Sequence, residues 1–207
     1  MCSKQIAAVT KQIKKYAADT LSSGRFEHSL RTAKLCRKLC ERFLLDGQLG
    51  FLAGLSHDLC KGCPDEELLA LAAKDGFPVS ALEAGKPSLL HGRAAAVRIA
   101  ERFGVDNPDV LDAVSWHTFG RKGLCPVGRA LFIADKIEPG RKGISKTMRK
   151  ETLALDFDEM TVRVIRDNII WLGKTGKIVA PETLAMLRDI EDSLAHRPAG
   201  RQTGEAG

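Results

Sequence analysis

Aromatic side chains are scarce in this chain, with eight Phe, two Trp and one Tyr in 207 residues. A protein that grips single-stranded nucleic acid needs stacking rings beside its basic groups. Rings are few here and no long Lys/Arg block exists, so the excess of 32 basic over 26 acidic residues calls for another reading. A polyphosphate ligand accounts for the formal charge of +6 more economically. Long apolar runs are missing as well, and none approaches the ~18 residues of a membrane helix. The opening MCSKQIAAVTKQIKK lacks the apolar region of a signal peptide, which makes the cytoplasm the expected compartment. Neither internal repeats nor the apolar/polar alternation of half-buried strands is found. Zinc-type cysteine pairing is also wanting. Of Cys2, Cys36, Cys40, Cys60, Cys63 and Cys125, only Cys60-Lys-Gly-Cys63 forms a C-x-x-C, and it has no second pair at matching spacing. Free, reduced thiols are expected, with Cys36 and Cys40 packed as small apolar groups.

What is present is helical periodicity in a chain long enough for one sizeable core. Ile6, Val9, Ile13 and Ala17 share a face over residues 5–20. A second helix is expected from Arg25 to Phe43, with His28 at the edge of its apolar arc. Asp46-Gly47 is a turn signal before a third, which carries His57-Asp58 and is ended by Gly62 and Pro64. Pro64 at a first helical position, followed by three acids, opens a fourth. Pro87-Ser88 starts the next, with Ser88 as N-cap, His91 in the first turn, and Leu90, Ala94, Val97 and Ala100 inward. Asn107-Pro108-Asp109 reads as cap, first-position proline and first-turn acid, and Val110, Val114 and His117 then continue one stripe. Further helices are expected from Pro126, from Ser145 to Leu153, over 157–172, and over 181–195 with Leu184, Leu187, Ile190 and Leu194 inward. The fold class is all-α, with eight to ten helices. The organisation expected is an N-terminal helix over 1–24, a core over 25–153, C-terminal helices of the same domain over 154–196, and a disordered tail over 197–207.

The stretch Phe51 to Lys61, FLAGLSHDLCK, sets a carboxylate against leucines, and a buried carboxylate needs a compensating cation. A metal ion is one candidate and Lys61 another. Each neighbouring site residue has a plain alternative. His28 taken alone would be a satisfied core histidine, Asp135 could pair with an arginine, and His91 could be a surface residue at a helix start. Together, His28, His57, Asp58, His91, His117 and Asp135 sit on or beside the apolar faces of five expected helices. Bundle cores assemble metal sites from facing helices in this way. Four imidazoles and two carboxylates exceed the needs of one ion and suit two divalent first-row transition ions.

The order H…HD…H…H…D resembles that of the HD-domain metal phosphohydrolases. The flanking words Arg-Phe-Glu-His28-Ser-Leu, Ser-His57-Asp58-Leu-Cys-Lys61, Leu-Leu-His91-Gly, His117-Thr-Phe-Gly-Arg121 and Ile-Ala-Asp135-Lys-Ile-Glu-Pro-Gly-Arg141 are similar to those of the YqeK-type symmetrical dinucleoside tetraphosphatases. The resemblance runs to about residue 194 and implies an HD-domain helical bundle with a metal site in its core. It also implies hydrolysis of diadenosine tetraphosphate to two ADP at a two-metal, iron-type centre. By the same resemblance, His28, His57, Asp58 and Asp135 would hold one metal and His91 and His117 the second, with Asp58 bridging. Asp58 and Lys61 would carry the catalytic roles, and Arg25, Lys61, Thr118, Arg121 and Arg141 would contact the substrate. The alternative for these cations is solvated surface. Phe119 stands where the family often has a second threonine, and Cys60 and Cys63 lie outside its pattern.

Three other readings stay open at this stage. One is a nucleotidase or nucleoside triphosphate hydrolase of the same superfamily, and another is a nucleotide-binding sensor with a structural metal core. A nucleic-acid binding module comes last. Histidine and carboxylate donors also accept manganese, cobalt or zinc. The expected partners are a dinucleoside polyphosphate or another nucleotide, with a homodimer left open and no membrane partner.

Overall fold

Two helices in close apposition set the frame: α2 (Ser23–Arg42) and α3 (Gly47–Ser56). Asp46 caps α3, its side chain accepting from the Gln48 and Leu49 amides. Gly50 and Gly54 lie four apart on one face of α3, where a Cβ would meet Cys40 Sγ at 2.5 Å and Ala33 Cα at 2.6 Å. Only hydrogen at these positions lets the two backbones approach so closely. The contacts also give the register. Gly50 lies against Cys40 and Gly54 against Ala33, and one further step of the antiparallel pair brings His57 to His28.

The computed structural model describes residues 1–196, and the expected disordered tail over 197–207 lies outside them. Around the α2–α3 pair are α1 (Ser3–Thr20), α4 (Asp65–Ala72), α5 (Ala81–Gly85), a 3₁₀ turn (Pro87–Leu90), α6 (His91–Phe103), α7 (Pro108–Trp116), α8 (Pro126–Ile137), α9 (Lys146–Ala154), α10 (Phe157–Lys174) and α11 (Pro181–Ala195). No strand occurs among the described residues. Helix α1 packs on α3 and α6 through Ile6, Ile13 and Ala17, while α8 is gripped by α2, α3, α7 and α10. The central core is mostly aliphatic around one buried ring, with Leu52, Leu55, Ile99, Leu131, Ile133 and Phe132 fully enclosed.

Several boundaries depart from the sequence reading. Helix α3 ends at Ser56, so His57-Asp58 do not continue it. From there the chain closes in three-residue turns, Leu59 N–H to Ser56 O, Lys61 N–H to Asp58 O and Cys63 N–H to Cys60 O. Residues three apart eclipse in such tightened turns, which brings Asp58 and Lys61 to one side. Pro64 is the N-cap of α4 rather than its first residue. The short α5 was not expected; Ser80 and Glu83 form a capping box there. Ser88 falls inside the 3₁₀ turn, and His91 itself opens α6. The buried face of α6 is Ala94, Ala95, Ala96 and Ile99, with Val97 and Ala100 only half-buried. Leu184 on α11 is 38% exposed rather than inward. The eleven α-helices among the described residues exceed the expected eight to ten through the short α5.

Candidate metal centre

Four imidazoles meet in the core, and each is held by its Nδ1. His57 Nδ1 donates to Gly54 O, His91 Nδ1 to Ser88 O and His117 Nδ1 to Val114 O, each at 2.8 Å. His28 Nδ1 donates to Glu138 Oε1 at 3.1 Å. A carbonyl or carboxylate oxygen only accepts, so Nδ1 carries the proton and Nε2 of each neutral ring presents a lone pair. Those lone pairs face one another in two couples. His28 Nε2 and His57 Nε2 are 3.3 Å apart, and His91 Nε2 and His117 Nε2 are 3.0 Å apart. Gly92 makes the second couple possible, since a Cβ there would lie 2.9 Å from the His117 ring.

Asp58 stands between the couples with one oxygen for each. Its Oδ2 is 3.5 Å from His57 Nε2 and 3.8 Å from His28 Nε2. Its Oδ1 is 3.2 Å from His91 Nε2 and 3.8 Å from His117 Nε2. Asp135 adds Oδ1 to the first couple, 3.1 Å from His28 Nε2 and 3.7 Å from His57 Nε2. Two groups thus share Asp58: His28, His57 and Asp58, and Asp58, His91 and His117. Converging lone pairs and carboxylates repel unless positive charge joins them, so the donor set fits divalent metal ions. The Nδ1 anchors are the outer contacts that orient metal-binding histidines.

The electrostatics follow from this crowding of buried charge. Burial favours a neutral Asp58, but His57 and His91 outweigh it and hold the carboxyl well below its ordinary range. Asp135 is likewise lowered against burial, by Lys136, His28, His57 and Arg141. Burial opposes a charged His57, yet the neighbouring Asp58 raises it above the usual imidazole value. Burial lowers His117 well below that value, and His57 and His91 add to the effect, leaving it neutral and ready to donate its lone pair.

All six sequence-expected metal residues are buried and come together here. Of the expected substrate contacts, Arg25 Nη1 donates to Asp58 Oδ2 at 2.6 Å and Arg141 Nη1 is 3.6 Å from Asp135 Oδ1. Lys61 Nζ lies 3.2 Å from His91 Nε2, and burial lowers its pKa. Thr118 Oγ1 is 3.3 Å from His117 Nε2. Arg121 is not brought to the cluster: its Nε and Nη2 donate to Asp112 Oδ1 at 2.9 and 2.8 Å. Sequence reasoning missed Glu138, Arg31 and Lys136. Glu138 is buried and accepts from both His28 and Arg31 Nε, the latter at 2.6 Å. Lys136 Nζ donates to Asp135 Oδ2 and to His117 O. The signal for Glu138 was its place in the Ile-Glu-Pro-Gly-Arg word, which carries a role only once His28 is known to lie beside it.

A cavity of about 940 Å³ reaches His28 of the first couple. Arg25, Arg31, Lys136, Arg141, Lys142 and Lys174 line it beside His28. On the far side of Arg25 is a smaller cavity of about 510 Å³, lined in part by Lys61, Cys63 and Arg98. Cys60 is buried, with a thiol raised by burial, and Cys63 Sγ accepts from Arg98 Nη1, so both stay free thiols beside the centre.

Residues 25–140 match the family described as HD domain. A Bacillus subtilis protein named bis(5'-nucleosyl)-tetraphosphatase, symmetrical, is 28% identical over 79% of this chain and 87% of its own length. The protein of the same name from Staphylococcus aureus is 34% identical over 62% of this chain and 66% of its own. A Clostridium acetobutylicum crystal structure, described as a predicted HD superfamily hydrolase involved in NAD metabolism, superposes with a TM-score of 0.79 at 26% identity. That alignment covers 88% of this chain and 97% of the other.

Proposed function

The chain belongs to the HD domain family, and from this we infer that it is a metal-dependent phosphohydrolase that splits dinucleoside tetraphosphates symmetrically, diadenosine tetraphosphate to two ADP. The observation that carries the metal chemistry is Asp58, with one oxygen turned to each couple of imidazole lone pairs. His28, His57, Asp58 and Asp135 are the ligands we assign to one ion, and His91 and His117 to a second that shares Asp58. Divalent ions held there would supply Lewis acidity and a water acidic enough to attack at neutral pH.

The chain's own residues supply the rest. Arg25 and Arg141 stand beside the two carboxylates, where they can turn from Asp58 and Asp135 to phosphate oxygens. Lys61, next to His91, is assigned to the charge that builds on the reacting phosphoryl group, and Thr118 to a hydroxyl hydrogen bond. Attack on an inner phosphorus breaks its bond to the bridging oxygen, which leaves as the terminal oxygen of one ADP while the attacked phosphorus becomes the end of the other. A nucleoside diphosphate tolerates that charge, so fixed cations matter more than a strong general acid. Arg121 would have to release Asp112 before reaching a phosphate.

Iron is the ion expected from the family likeness, and manganese, cobalt and zinc suit the same donors. Protein purified without oxygen or chelator, given diadenosine tetraphosphate with iron(II) or manganese(II), should release ADP alone by chromatography. ATP with AMP would mean attack at another phosphorus and would overturn the symmetrical reading.

A further inference from the structure

Helix α10 is longer than its packing needs. Met160, Val164 and Ile165 are buried near its start, yet toward its end Ile170 is 54% exposed and Trp171 48% exposed. Trp171 is not simply on the outside. Val164, Asp167, Asn168, Trp171 and Lys174 recur at helical spacing and together form one wall of the cavity that reaches His28, Arg25 and Arg141. Among the described residues, Trp171 is the only Phe, Tyr or Trp lining that cavity. Ile144 and Met148, from the chain after α8, line it too, so the ring has apolar company as well as cations. Lys177 Nζ sits 4.1 Å from the indole centroid and does not line the cavity.

Taking the nucleotide substrate inferred above as given, we propose that Trp171 is the stacking platform for a nucleobase of the substrate whose phosphates lie at Arg25 and Arg141. The volume suits it: about 940 Å³ falls within the range of small-molecule sites, which are mostly apolar with a few placed polar groups. An indole face accepts any base, because every base has a π-face. Asn168, one helical turn before Trp171 in the same wall, brings both a donor and an acceptor to a base edge. Arg25 and Arg141 from α2 and the α8–α9 connection and the ring from α10 line one cavity, as the phosphate and base ends of a nucleotide require.

Calorimetry on the metal-loaded full chain separates base from phosphate, with ADP and inorganic pyrophosphate as the two probes. In Trp171→Ala, ADP should bind roughly tenfold more weakly or worse, the scale of losing one base stack. Pyrophosphate affinity should hold, and Trp171→Phe should recover most of the ADP affinity. In steady state, KM for diadenosine tetraphosphate should rise in Trp171→Ala with kcat kept. ADP affinity unchanged in Trp171→Ala would overturn the platform, as would equal losses for ADP and pyrophosphate. A change of oligomeric state without any change in ADP affinity would also overturn it, marking the ring as a protein contact. Wild-type protein that fails to cleave any dinucleoside tetraphosphate, while still telling Trp171 from Ala by ADP affinity, would sink the hydrolase reading and leave the base site standing.

Discussion

Glu138 shows how a side chain that touches no metal candidate's lone pair still governs the centre. Its carboxylate accepts a hydrogen bond from His28 Nδ1 on one side and from the Arg31 guanidinium on the other. Burial works against its charge, but the Arg31 hydrogen bond prevails and keeps its pKa below the ordinary value. Removing that charge frees the ring to turn or change tautomer. Glu138→Gln should therefore lower metal affinity by about 10–100-fold, the usual cost of losing such an outer contact. His57→Ala and Asp58→Ala should go further and be isolated almost metal-free, as elemental analysis after gel filtration will show. Wild-type metal content in both alanine variants would remove the basis for assigning the centre to these residues.

Among the elements, the α2–α3 pair bears the closest backbone contact. A methyl group at Gly54 would sit 2.6 Å from Ala33 Cα and 2.9 Å from Ala33 N, with backbone on the other side that cannot swing away as a side chain would. Gly54→Ala should force the helices apart and cost about 1–3 kcal/mol or more, as overpacking of a core does. At this chain length each kcal/mol lowers Tm by about 2–4 °C. Gly24→Ala, at a position with nothing near the added methyl, is the matched control for calorimetry. Because His28 is on α2 and His57 closes α3, the same shift should also widen the first imidazole couple. Metal affinity is expected to fall together with stability in Gly54→Ala.

For the molecule as a whole, the formal charge of +6 is unevenly spent. Many cations pair on the surface, as Lys74 does with Glu101 and Arg166 with Glu191. Six line the large cavity, four of them beside Asp58, Asp135 or Glu138, and a tetraphosphate there would carry the opposite charge. Such a basin concentrates an anionic ligand through its field, and salt screens that field beyond about 10 Å at 0.1 M. The value of kcat/KM for diadenosine tetraphosphate should thus fall several-fold as salt rises from about 0.01 to 0.5 M, mostly through KM. A flat profile would mean that the cations act only on contact.

By itself, the sequence determined the class of structure and pointed to the residues of the candidate centre. Periodicity over 5–20, 157–172 and 181–195, and caps such as Asn107, are local properties, so those helices were legible to within a few residues. The six metal candidates were legible because histidine and aspartate are costly against apolar faces without a partner. Tertiary structure decided what depends on distance between segments far apart in the chain. It turned His57-Asp58 out of α3 into tight turns, drew Glu138 to His28 across 110 positions, and held Arg121 on Asp112. It also placed Trp171 in the wall of the large cavity beside His28, although the shortage of rings had argued against the stacking platform of a single-strand binder. Spacing along a helix shows which face a residue occupies. Which residue of another helix meets it is set by the close packing of backbones at Gly50, Gly54 and Gly92, and no local pattern encodes that register.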